Sequence, residues 1–471
     1  MLRRFVRFLL CSGVLLICTA GLCKETKHNV LFIAVDDLND WVGHLGGHPQ
    51  AKTPNLDRLA ARGVSFTRAY CNAPICNPSR VSLLTGKLPT TNRYYSNGSN
   101  FRGQLPNAVS LPQYFRQHGF ATQGGGKIFH GTQGKSADPL SWDDYFVASR
   151  PKTRQVPRKT GLPKSAWAPW GPLDVADEET ADVKMINWAI SQLQSSPQKP
   201  FFLACGFKKP HLPWYAPRKY FDLHPLEDVI LPKTLESDRD DLPAFGKRLA
   251  REVQTLEVSG DPGRNYARHG EDHDMVLKHD QWRRAVQSYL ATISFIDAHL
   301  GRLLDALEAS EHADNTIIVL WGDHGWHLGE KQHWRKHALW ETTTRTPLIW
   351  AMPTGDERIV PGQKCDRPVS LVDIYPTLVE LCGLPTRDDL DGHSLTPLLK
   401  NPSQAWEHPA ITTFGKNHAV RTDRWRYIRY LDGGEELYDH MNDPDEWNNL
   451  AADSGNARVI AKLQKLLPQT K

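Results

Sequence analysis

The stretch NVLFIAVDDL, Asn29–Leu38, opens with an apolar run, Val30–Val35, and closes on two acids, Asp36 and Asp37. A strand with one wet face alternates apolar and polar residues; one without polar residues is buried on both faces. Three later stretches read alike: PFFLACGF (Pro200–Phe207), NTIIVLWGDHG (Asn315–Gly325) and TPLIWAMP (Thr346–Pro353). Helical patterns lie between them. TPNLDRLAARG (Thr53–Gly63) has Thr53 as N-cap and Gly63 as stop. SLPQYFRQHG (Ser110–Gly119) is a second capped helix, and AVQSYLATISFIDAHLGRLLDALEAS (Ala285–Ser310) a long amphipathic one. VSFTRAY (Val64–Tyr70) reads as one strand, and FATQGGGKIFH (Phe120–His130) as a strand breaking into a glycine-rich turn. Strands alternating with helices predict an α/β sheet covered by helices on both faces.

Near residue 403 the pattern changes. HAVRTDRWRYIRYLDGGEELYDH (His418–His440) has short strands with turns at Asp423 and Asp432-Gly433-Gly434, which is antiparallel hairpin grammar, and ARVIAKLQKLL (Ala457–Leu467) reads as a final helix. The N-terminus has a basic start, an apolar run from Phe8 to Ile17 and small residues near Ala20, the features of an export leader. The expected organisation is a signal peptide over 1–23, a catalytic domain over 24–402 and a small antiparallel subdomain over 403–471. Segments 147–180 and 233–285 are rich in Pro, Asp and Arg and are expected to be irregular surface loops that select substrate.

Length and composition narrow the function. The chain has 471 residues, 40% apolar and 23% charged, as a large folded domain requires. Of its formal charge of +4, Arg3, Arg4 and Arg7 lie in the leader, which leaves +1. A near-neutral protein has no global field for nucleic acid, so anion binding must be local. After leader removal no long apolar segment remains, and no membrane association is expected. Outside the leader region the cysteines are Cys71, Cys76, Cys205, Cys365 and Cys382, an odd number, with Cys365–Cys382 a possible pair.

In open α/β sheets ligands bind beyond the carboxyl ends of the strands. Four such ends carry polar residues: Asp36-Asp37, Lys127 with His130, His211, and Asp323-His324. Each alone is ordinary, since Asp-Asp after a strand is commonly a turn or cap. Together they suit a hard divalent cation, bound by carboxylate oxygens, beside a tetrahedral anion held by Arg80, Lys127 and Lys336 with His130 and His211.

Cys76-Asn77-Pro78-Ser79-Arg80 followed by Leu84-Thr85-Gly86-Lys87 resembles the signature of the type I sulfatases. GKIFH (Gly126–His130), FKKPHLPW (Phe207–Trp214), QSYLATISFID (Gln287–Asp297) and DHGWHLGEKQHWRK (Asp323–Lys336) resemble stretches of the iduronate-2-sulfatase branch. The resemblance implies an alkaline-phosphatase-like mixed sheet and a sulfuric ester hydrolase acting on sulfated sugars, with 2-O-sulfated uronic acids of a polysaccharide or glycosaminoglycan as candidates. It implies that a formylglycine-generating enzyme converts Cys76 to formylglycine (3-oxoalanine). It further implies that Asp36, Asp37, Asp323 and His324, with residue 76, hold a calcium ion (Ca2+), although histidine is not a typical ligand of that ion. Arg80, Lys127, His130, His211 and Lys336 would bind sulfate and move protons, with His211 or Lys336 as general acid and His130 as base. The location implied is secreted or periplasmic, or lysosomal in an animal host.

Two other readings stay open: a phosphatase or phosphodiesterase on the same scaffold, and a non-catalytic sulfated-glycan binding protein. The spacing of a cysteine phosphatase fails, because Ser82 stands where its arginine would. Asn97-Gly98-Ser99 is a glycosylation sequon.

Overall fold

The computed structural model describes residues 28–131, 137–148, 161–162, 169–195, 199–251 and 272–468. Its centre is an 8-stranded sheet. In chain order the strands are β1 (Asn29–Asp36), β2 (Val64–Phe66), β3 (Ala121–Gly126), β4 (Asp144–Phe146), β5 (Phe201–Pro210), β6 (Thr316–Gly322), β7 (Leu348–Ala351) and β8 (Gln363–Cys365). Their spatial order is β8-β2-β7-β6-β1-β5-β3-β4. β7 is antiparallel to both its neighbours, β6 and β2, while every other pairing is parallel, so the sheet is mixed.

β1 shows why Val30–Val35 carries no polar residue. Leu31, Ile33 and Val35 point into one core, with the long helix Trp282–Glu308 and helices Pro54–Ala61 and Ala181–Leu193. Val30, Phe32 and Ala34 point into a second core on the opposite face, with helices Leu111–Gln117 and Ile374–Leu381. Every residue of β1 is buried. The fold is the expected alkaline-phosphatase-like α/β sheet with helices on both faces, joined by a four-stranded antiparallel sheet over Ala410–Asp439 and the helix Ala457–Gln464. That small sheet backs the segment leading to Cys76: Thr413 N donates to Asn72 O at 2.8 Å, and Thr412 Oγ1 to Cys71 O at 2.6 Å.

Some local expectations are corrected. VSFTRAY breaks at Thr67-Arg68 into β2 and a short strand, Ala69–Tyr70, which pairs with Val369–Ser370 in another sheet. Segment 233–285 is not wholly irregular: it holds helices Ala244–Ala250 and Asp272–Lys278 and the start of the long helix at Trp282. Phe245 and Leu249 explain the first of these, since they bury against Trp340 and Tyr430. Segment 147–180 contains Trp170–Leu173, paired in parallel with Trp214–Pro217, because Trp170 and Trp214 stack at 5.6 Å. Residues 149–160, 163–168 and 252–271 of these segments, and the leader, lie outside the described residues. Cys365 and Cys382 form no disulfide; the Cys365 thiol points to Pro402 O at 3.3 Å. Thr53 begins its helix, but its hydroxyl accepts from Gly43 N at 2.8 Å and does not cap the first turn.

Candidate active site

β6, β1, β5 and β3 are adjacent and parallel, so their carboxyl ends lie along one edge. Gly322 faces Val35, Asp36 faces Pro210 and Gly126 faces Gly206. That register brings Asp323-His324, Asp36-Asp37, His211 and Lys127 to a common rim. Gly126 is required there: it takes a left-handed φ of +78°, and a Cβ would collide with the Gly206 carbonyl. Lys127 therefore leaves the strand towards β1.

Cys76 meets this rim as the first residue of the helix Cys76–Thr85, whose amino end favours negative charge. Its Sγ lies 2.9 Å from Lys336 Nζ, 3.4 Å from His324 Nε2 and 3.9 Å from Asp37 Oδ1. Burial alone would push the thiol up. The charges of Lys127 and Lys336, with hydrogen bonds from His130 and His211, outweigh it and hold the group well below the usual thiol range. The field at position 76 is thus built for an anion.

Arg80, one helical turn on, is fully buried. Its Nε donates to Asp323 Oδ2 at 2.9 Å, Nη2 to Asp36 Oδ1 at 3.1 Å, and Nη1 to the carbonyls of Lys127 and Ile128. Lys127 Nζ donates to the other oxygen of Asp36. Burial raises the Asp36 carboxyl, but Lys127 in particular draws it below the ordinary carboxylate range. Burial dominates at Asp323, which is pushed up to about 6. Burial disfavours the His324 cation, yet the Asp323 charge lifts its pKa to about 9. Burial chiefly pushes His130 down.

Asp37 is the pivot. Its Oδ1 accepts from Lys336 Nζ at 2.7 Å and lies 3.3 Å from His324 Nε2; its Oδ2 is buried, 4.0 Å from His211 Nε2, and accepts no hydrogen bond. The backbone of Asp37 sits in the left-handed region at φ +59°, strain on the order of 1–3 kcal/mol for a non-glycine residue. It is held at both ends: Asp37 N donates to Asp323 Oδ1 at 2.9 Å, and Tyr289 Oη donates to Asp37 O at 2.7 Å.

Every residue singled out from sequence therefore lies on or beside one constellation. Asp37, Cys76, Asp323 and His324 offer donor atoms all within 4.8 Å of one another, and Asp36, Asp37 and His211 form an adjoining group. An unpartnered buried carboxylate oxygen beside two further buried acids fits a hard divalent cation. Sequence reasoning missed Tyr289, which the apolar stripe of QSYLATISFID conceals, and Ser79, whose Oγ donates to Asp323 O.

Comparison with known proteins follows this geometry. The pattern of the family described as Sulfatase matches residues 28–384, and that described as N-sulphoglucosamine sulphohydrolase, C-terminal, matches residues 329–471. A Sulfatase of Formosa agariphila is 38% identical, over 98% of this chain and 92% of its own. Iduronate 2-sulfatase of Homo sapiens is 33% identical, over 89% of this chain and 80% of its own. A solved structure described as a complex with its substrate D-glucosamine-2-N,6-O-disulfate has a TM-score of 0.73 at 24% identity, covering 94% of this chain and 97% of that one. The chain belongs to the sulfatase family, as a sulfuric ester hydrolase with iduronate 2-sulfatases among its relatives.

Proposed function

We propose that the protein hydrolyses sulfate esters of sulfated sugars with formylglycine at position 76 as nucleophile, and that 2-O-sulfated uronic acid residues are its substrate class. The observation that carries this is the seat of Cys76: buried at a helix amino end, with Lys336 2.9 Å away and His324 3.4 Å away. An unmodified thiol there would be a poor ligand for a hard cation. Oxidised to the aldehyde by a formylglycine-generating enzyme, the side chain supplies a hydrate with two hydroxyls on one carbon: one to attack sulfur, the other to release sulfate afterwards. The iduronate 2-sulfatase relatives support the substrate class, and the disulfated-glucosamine complex supports only the broader class of sulfated sugars.

Asp36, Asp37, Asp323 and His324 would hold a calcium ion with residue 76. When bound, the ion supplies positive charge against the sulfate oxygens. Arg80 fixes Asp36 and Asp323 in place. Lys127 and Lys336 bring ammonium groups to the anion and stabilise charge that grows as the ester breaks. His130, whose pKa burial depresses, accepts the proton of the second hydroxyl. His211 donates the proton to the departing sugar oxygen. It sits at the mouth, with 29% of its side chain exposed against 8% for Lys336, where a leaving group arrives. Its Nδ1 lies 2.6 Å from Leu212 O and so carries a proton, leaving Nε2 as the nitrogen that exchanges one.

The protein is exported and acts as a 24–402 catalytic domain with a 403–471 subdomain. No described helix is long and apolar enough to cross a membrane. The deciding experiment is desulfation of defined sulfated oligosaccharides by protein made together with a formylglycine-generating enzyme, with aryl phosphate as the contrasting substrate. Release of sulfate from 2-O-sulfated uronates is expected; turnover confined to other positions or to phosphate overturns the substrate assignment. Lys336→Ala is expected to fold, as circular dichroism will show, and to lose roughly 100- to 1,000-fold in kcat. Unchanged kcat would remove Lys336 from the mechanism.

A further inference from the structure

Lys209 has no place in the mechanism above, yet it is built into the site's wall. It is the penultimate residue of β5, and the chain then turns through Pro210-His211-Leu212-Pro213 before returning as Trp214–Pro217. Two prolines leave that turn short of backbone donors. Lys209 supplies what they lack. Its Nζ donates to Pro213 O and, at 3.3 Å, to His211 O. No carboxylate among the described residues accepts a hydrogen bond from it. Burial pushes its pKa down to about 8, so the cation sits where it is poorly solvated, attached to carbonyls alone.

The other contacts of the turn show what the ammonium anchors. His211 N donates to Lys208 O at 3.0 Å, Tyr215 N to Pro213 O at 2.8 Å, and Lys208 N to Asp182 Oδ1 at 2.7 Å. These fix the two ends of the turn. Lys209 Nζ ties the carbonyl of His211 itself to that of Pro213, across the peptide whose Leu212 oxygen accepts from His211 Nδ1. Without it, the backbone that aims the imidazole has one fewer fixed point, in a step where small misplacement is costly.

We propose that Lys209 is a positioning residue for His211, holding the imidazole where it reaches the departing oxygen. This rests on the reading of His211 as proton donor. The consequence is specific: loss of Lys209 harms substrates in proportion to their need for a proton, because a good leaving group departs without one.

The test compares Lys209→Met, Lys209→Gln and His211→Asn with the parent, all carrying formylglycine, on 4-nitrophenyl sulfate and phenyl sulfate. The methionine keeps the stem and removes all donors; the glutamine keeps an uncharged NH2 donor group and serves if the methionine variant does not fold. Turnover of 4-nitrophenyl sulfate also monitors the folded site. His211→Asn is expected to lose roughly 100-fold more on phenyl sulfate than on 4-nitrophenyl sulfate, as a missing general acid requires. Lys209→Met is expected to show the same bias, about tenfold, with Lys209→Gln between it and the parent. If His211→Asn shows the bias and the Lys209 variants lose equally on both esters, Lys209 is merely structural and the inference falls. If His211→Asn shows no bias, the reading of His211 as donor falls first, and the inference with it.

Discussion

Cys76→Ala is expected to bring sulfate-ester turnover to background while the fold survives. The side chain is buried among polar groups and adds little to either apolar core. Alanine suits the first turn of Cys76–Thr85. What it removes is the thiol through which the β-carbon is oxidised to an aldehyde, and no neighbouring side chain can replace that function: Lys336, His324 and Asp37 surround it as charges, not as nucleophiles for sulfur. The checks are kcat on a sulfated sugar and far-UV circular dichroism. Mass spectrometry of the peptide containing residue 76 in the active parent is expected to show CH2–SH converted to CHO, with sulfur replaced by oxygen and two hydrogens lost. Activity in the alanine variant, or unaltered cysteine in fully active enzyme, would sink the mechanism.

The second large effect is on stability as well as rate. Arg80→Leu is expected to destabilise the protein by about 3–5 kcal/mol and to abolish turnover, since removing one member of a buried ion network leaves the others uncompensated. Arg80 binds Asp36 and Asp323 and also satisfies two backbone carbonyls beyond β3. Leucine fills part of the volume beside Trp321, over which the guanidinium lies at 5.5 Å, but supplies no donor. A urea denaturation series reads the change. A midpoint equal to that of the parent would show that these contacts do not hold the site together. Calcium added to the variant is expected to recover part of the stability, because a bound cation offsets the same carboxylates.

Much of the architecture was legible because burial on both faces of a strand leaves a local trace. Val30–Val35 has no polar residue because both neighbouring layers are apolar, and that needs no knowledge of the partner strands. The same holds for two of the strand ends: Asp36-Asp37 and Asp323-His324 each follow an apolar run in the sequence, while Lys127 follows three glycines. Where an expectation failed, the cause was a contact distant in sequence. VSFTRAY has the composition of one strand, but its two halves belong to different sheets. Helix Ala244–Ala250 looked irregular because Pro, Asp and Arg residues crowd its segment, and its Phe245 and Leu249 bury against Trp340 and Tyr430, elements distant in sequence.

The chain alone determined which residue types wait at the carboxyl ends of its strands, whereas the structure shows that Cys76 opens a helix and does not lie in a loop. Only the tertiary structure decided how they are shared out: Asp36 to Arg80 and Lys127, Asp37 to Lys336 with Tyr289 behind it, and Lys209 to the carbonyls of the His211 turn. Lys336 and Asp37 stand 299 positions apart. Hydrophobic periodicity reports whether a residue is buried, a property of its own neighbourhood, whereas the partner of a buried charge is set by strand order and register, which no local pattern encodes.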